Sequence, residues 1–226
     1  MEIDTLPKAR LLAPNQIMRL AKKHSVHPFS ARDSALIALA GMAYFTGHDL
    51  SLVEVQDLID EKGSLVEVAR LPVEYNLSGK AKLFHIPKGS YLRKTLIDYM
   101  EFRKSHGMQI IGLGIFNGLN PESKFMLKDD GEPYSLNFKR QYQGDKSQQP
   151  LQLQRQFQKY YLGEGVSLKS LNDSFIMNFY QARCQTGTAQ TIRDLIELTG
   201  MTADTLRSKC IKNESSIRET LEMLYK

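Results

Sequence analysis

The stretch SARDSALIALAGMAYFTGHDLSLVEVQDLID, Ser30 to Asp60, decides how the rest of the chain is read. Its first half is apolar on nearly every side, with Ala35, Leu36, Ile37, Leu39, Met42, Tyr44 and Phe45 following Ala31. Such a helix belongs in the middle of a core. Ser30 with Asp33 offers a cap and an acidic first turn. Thr46-Gly47 is expected to stop the helix, because glycine tolerates the left-handed conformation of a helix end. A second short helix is expected from Ser51, with Glu54 as its capping-box partner.

Upstream, residues 1–14 read as an extended arm, and Asn15 to His24 as a short amphipathic helix. Downstream, Ser64 to Arg70 alternates apolar and polar, the period of a half-buried strand. Lys82 to Ile86 can pair with it, Pro87 ends that strand, and Lys88 to Lys104 forms an amphipathic helix. Gly107 to Asn120 is either a loose buried connection or a short bulged strand. Asp130-Gly131 makes a turn, and Gln141 to Pro150 is a polar stretch without regular structure. Leu151–Leu162, Ser167–Arg183, Thr188–Thr199, Thr202–Lys209 and Ser216–Tyr225 all carry helical patterns. The fold class expected is α+β, mainly α, a helical bundle with a small antiparallel sheet. Residues 15–226 form one domain in this reading.

Composition narrows the function classes. With 226 residues and 42% hydrophobic content the chain can bury a full core without disulfides or metal. Cys184 and Cys210 are isolated and read as free thiols in a reducing cytoplasm. His24 and His27 flank Pro28 with no acidic or cysteine partner nearby, so they read as loop residues and not as zinc ligands. The glycines of 107–120 do not join a strand to a helix, so no dinucleotide loop, and no cofactor, is expected. No signal peptide or long apolar run is present, and a soluble cytoplasmic protein is the default. The net charge of +5 permits a polyanionic partner. No Lys or Arg lies between Arg32 and Lys62; the positive charge gathers at Lys80, Lys82, Lys88, Arg93 and Lys94, then at Lys139, Arg140, Lys146, Arg155, Lys159 and Lys169.

Arg32-Asp33, the apolar helix, Thr46-Gly47, then Leu50-Ser51 and a second helix ending in Asp60, together resemble the start of the tyrosine recombinase (phage integrase) catalytic domain. The resemblance covers roughly residues 12 to 212 as pattern, without the family's N-terminal core-binding domain. It implies duplex DNA as partner and a phosphoryl transfer by a tyrosine nucleophile, two arginines, a histidine and a lysine general acid. In the family the stretch reads T-G-apolar-R-apolar-S-E, and the arginine grips the scissile phosphate. Here Asp49 holds that position. Exchanging a cation for an anion about 4 Å from a phosphate changes the interaction by about 8 kcal/mol at an effective dielectric of 20.

The family's H-x-L-R-H-S-F motif is matched by Ser167 to Phe175 through Leu171, Ser174 and Phe175. Lys169 then stands at the histidine, Asn172 at the arginine and Asp173 at the next histidine. The last histidine of the chain is His106, so no shift of register supplies one. Leu198-Thr199-Gly200 resembles the turn before the nucleophile, yet Ser208-Lys209-Cys210 follow where tyrosine is expected. Only Tyr180 and Tyr225 lie near.

The resemblance places Lys80 and Lys82 nearest the general-acid hairpin; solvated hairpin lysines are the plainer alternative. Lys80, Lys82, Lys139, Arg140, Arg155 and Lys169 come from segments that line the family's DNA-facing side. Thr191 to Ile211 also reads as helix, glycine turn, helix, which would turn Thr202, Arg207 and Lys209 toward a groove as a helix-turn-helix regulator. The competing reading is a recombinase-type terminal helix pair. The last helix, residues 216–225, packs either on its own domain or on a second protomer or recombinase partner. Three functions follow: a non-catalytic DNA-binding accessory of recombination or integration, a working recombinase, or a partner-binding scaffold without DNA binding.

Overall fold

Helix α2 (Ser30–Met42) is the axis of the computed structural model, which describes residues 10–23, 30–75, 79–140, 146–161 and 165–210. The arm at 1–9, His24, His27 and the helix expected at 216–225 lie outside these residues. Every residue from Ala35 to Ala40 has 0% exposure, as an all-round apolar helix requires. Helices α1 (Pro14–Lys23), α5 (Tyr91–Ser105) and α7 (Leu168–Arg183) pack around it. Gly41 permits the closeness, since a Cβ there would lie 2.9 Å from Ile17 and 3.3 Å from Leu171.

The exit from α2 differs from expectation. Tyr44, not Gly47, takes the left-handed conformation, with φ of 56°. Thr46 instead caps α3 (Gly47–Leu52): the Thr46 N–H donates to the Asp49 carboxylate at 2.7 Å, and the Asp49 N–H donates to Thr46 Oγ1 at 3.2 Å. Gly47 is small because of its neighbours. A Cβ would sit 2.7 Å from Pro150 and 2.8 Å from Leu168. Ser51 is inside α3, donating to the Gly47 carbonyl at 2.8 Å, so it caps nothing. Glu54 instead precedes α4 (Val55–Leu58), its N–H held by Asp57 at 2.8 Å.

Strands β1 (Val68–Leu71) and β2 (Lys82–His85) pair antiparallel, Ala69 opposite Phe84. The expected small sheet is therefore present. On β2, Lys82 and Phe84 share the buried face. The 107–120 segment is mostly exposed and is not a strand: Ile110 and Leu119 form a single bridge, Leu119 alone is fully buried, and Leu113 is 60% exposed. A second hairpin, β3 (Asn137–Arg140) with β4 (Lys146–Gln149), occupies part of the stretch read as irregular. Phe138 is the one apolar residue in its two strands, so no alternation marked them.

Helix α6 (Leu151–Tyr161) leads to α7, capped by Ser167 accepting from the Ser170 N–H at 3.1 Å. Helix α8 (Thr188–Thr199) ends at Gly200, with φ of 68°, before a last helical stretch at 203–210. This end forms a smaller core of Tyr44, Ile176, Tyr180, Ile192, Leu195, Leu206 and Cys210. The described residues are thus mainly helical with two small antiparallel sheets, of which the first was expected from the sequence and the second was not.

Candidate nucleic-acid interface

The backbone turn at residues 44–46 gathers the four positions that would carry catalysis. From α3, the Asp49 carboxylate meets Lys82 Nζ at 2.5 Å, and both side chains are almost fully buried. Lys82 also donates to the Tyr44 carbonyl and lies 4.7 Å from the centre of the Tyr44 ring. From α7, Asn172 Nδ2 donates to the carbonyls of Ala40 and Phe45, each at 3.0 Å. Asn172 therefore ties α7 to the end of α2, and its amide is spent on backbone.

Beside this turn lies a cavity of about 400 Å³, lined by Tyr44, Lys169, Asn172, Asp173 and Lys209 among others. Lys209 forms an ion pair with Asp173. Lys169 is exposed at the first turn of α7. The sequence reading did not single out Tyr44 as a site residue, yet its ring helps line this cavity. Burial, Asp173 and Asp49 all push its phenol pKa up. A nucleophile needs the opposite shift or a neighbouring base. Tyr180, at 2% exposure, is locked in the smaller core.

The residues expected to face DNA divide into four groups. Lys82 is corrected outright: at 1% exposure it points into the core, and burial pulls its ammonium pKa down while Asp49 opposes that shift. The cause is strand phase, since Lys82 stands two residues before buried Phe84 and so shares its face. Lys80, Arg155, Lys169, Thr202 and Arg207 are exposed, with Arg207 3.3 Å from Asp204. Lys209 is half-buried on Asp173. Lys139 and Arg140 lie on β3 by backbone, and their side chains fall outside the described residues. The helix–glycine–helix geometry of 191–210 is present, with the Gly200 N–H donating to Ile196 O at 2.8 Å. Its second helix turns Leu206 and Cys210 into the smaller core.

Among the described residues no helix is long and apolar enough to cross a membrane, and no cluster of His, Cys, Asp and Glu could hold a metal ion. No protein-family model and no curated protein matches the sequence. Solved structures do. One is a XerA recombinase, at 14% identity and a TM-score of 0.57 over 97% of this chain and 66% of that one. Another is a XerH site-specific recombinase bound to a palindromic difH substrate in a post-cleavage complex, at 14% identity and a TM-score of 0.51 over 92% of this chain and 52% of that one. This chain thus spans between half and two thirds of their length. At such identity the agreement is one of architecture: the chain has the fold of the tyrosine recombinase catalytic domain.

Proposed function

We propose that this protein binds duplex DNA through the phosphate backbone without cutting it, as an accessory or regulatory component of recombination or integration of a mobile element. One observation carries the reading. At the positions that would concentrate positive charge on a phosphate, charges are cancelled in pairs, Asp49 with Lys82 and Asp173 with Lys209, and Asn172 is bound to backbone. Phosphoryl transfer by this fold rests on positioning plus concentrated positive charge, so cancellation removes the chemistry. The fold's DNA-facing side still presents Lys80, Arg155 and Lys169 to solvent. The DNA substrate in the XerH complex supports duplex DNA as the partner class.

Few phosphate contacts place the dissociation constant at about 10⁻⁴ to 10⁻⁶ M near physiological salt, with log affinity falling by about 0.9 per contact per decade of salt. Titrating a labelled duplex at several salt concentrations tests this. Lys80→Glu should flatten the salt dependence. Absence of salt-dependent binding would leave the scaffold reading. A covalent protein–DNA adduct trapped on a nicked duplex would restore the recombinase one.

A further inference from the structure

We propose that helix α3 clamps the β1–β2 connection on both sides of Lys80 and so presents that lysine to the duplex, with His48 and Tyr75 as positioning residues. This rests on the DNA-binding reading above and adds to it residues that touch no phosphate themselves.

The connection leaves β1 at Leu71 and re-enters the sheet at Lys82, with Lys80 near its far end. Ordering such a connection costs chain entropy, and a lysine carried on it has no defined place unless the chain is fixed before and after it. Two consecutive residues of α3 supply both fixings. His48 Nδ1 lies 2.8 Å from the Tyr75 carbonyl, which can only accept, so this nitrogen carries the proton and donates. Asp49 holds Lys82, beyond Lys80, through the sealed pair at 2.5 Å. Successive residues of a helix point about 100° apart, so neighbours in sequence reach two separate points of the connection.

The Tyr75 side chain reinforces the first fixing. Its phenol is hydrogen-bonded to the Asp57 carboxylate on α4. Burial, and then Asp57 and Glu54, push the phenol pKa up, so the donated proton is retained. Lys124 Nζ stands 5.8 Å from the ring centre and is itself bonded to Leu52 O and to Glu54, each at 2.9 Å.

Two features point to presentation rather than to core building. No residue of the helical turn Val73–Tyr75 is buried, and Val73 is 45% exposed. His48, by contrast, is buried with Nε2 unpartnered, a cost that an apolar side chain in the same place would not carry. The buried imidazole thus spends its Nδ1 hydrogen bond on a surface segment, and that segment leads to exposed Lys80.

The test uses the full chain and a labelled duplex over a salt series. Lys80→Gln should flatten the slope by about 0.9 in wild type, as for one lost contact. In two backgrounds the same substitution should change the slope by about 0.4 or less, because Lys80 is already misplaced. One is His48→Phe, which keeps a ring and removes the donor; the other is Tyr75→Ala, at a half-buried position where folding should hold. Circular dichroism checks both. Lys169→Gln on α7 is the internal standard, and its effect should be equal in all backgrounds. His48→Asn, whose amide can donate in place of Nδ1, should restore the Lys80 effect. If wild type binds and Lys80→Gln acts equally in every background, or in none, the clamp is wrong and the DNA reading stands. Loss of the Lys169 effect together with the Lys80 effect would mean general damage and would also overturn the clamp. If wild type does not bind duplex at all, both readings fall.

Discussion

Two ion pairs flank the turn at residues 44–46, and they are not alike. Asp49–Lys82 is sealed, with side-chain exposures of 2% and 1%; Asp173–Lys209 sits at 25% and 29%. Both cancel charge that the recombinase reaction would need, yet their energetics diverge. A sealed pair has no water to replace a lost partner, so removing one side strands the other. A half-exposed pair is screened, and its members turn to solvent at little cost. The first pair is therefore part of the core. The second is part of the surface, where the proposed duplex binding would be tuned.

The largest effect is expected at Asp49. Asp49→Ala should lower the unfolding free energy by about 3–5 kcal/mol by stranding Lys82, and Asp49→Arg should cost more, since two cations would share one buried space. Urea denaturation reads both. Restoring the family's arginine at this position would therefore place a second cation against buried Lys82. Asp49→Asn with Lys82→Met should recover most of the loss, and failure to do so would show that the pair is not one energetic unit.

Gly47→Ala comes next, at about 1–3 kcal/mol, because its methyl group would strike Pro150 and Leu168 and push α6 and α7 off the sealed pair. A wild-type melting temperature would break this account of Gly47. Asp173→Asn should shift stability by no more than about 1 kcal/mol, while the duplex-binding slope steepens by about 0.9 as Lys209 turns to phosphate. A large loss of stability there would erase the contrast between the two pairs.

The smallest effect is a titration. Tyr44 lies between the pairs, and burial, Asp173 and Asp49 raise its pKa above 10. A raised folded value means that the native state holds its proton longer than the unfolded chain does. The stabilisation is then fully present below pH 10 and is lost as pH rises through the folded value. Spectrophotometric titration should show a late phenol, appearing somewhat earlier in Asp173→Asn.

Much of this was legible in residue types and their order. The apolar run of α2, the helical pattern of Ser167–Arg183 and the Gly200 turn gave the framework, since periodicity and turn chemistry are local properties. The missing arginine before Ser51 and the missing late histidine are facts of composition. Even the fate of Lys82 left a trace, because Lys82, Phe84 and Ile86 share one strand face, and a lysine on an apolar face needs a counter-ion. The β3–β4 hairpin left none, because Phe138 is the single apolar residue in its two strands and one residue sets no period.

By itself, then, the sequence determined the helical framework and which reactive side chains exist at all. Only the tertiary structure decided which charges meet. Asp49 and Lys82 are 33 residues apart, and Asp173 and Lys209 are 36. Propensity and periodicity act over one or two turns of chain, while charge cancellation acts through space, where packing around α2 sets the partners and the dielectric.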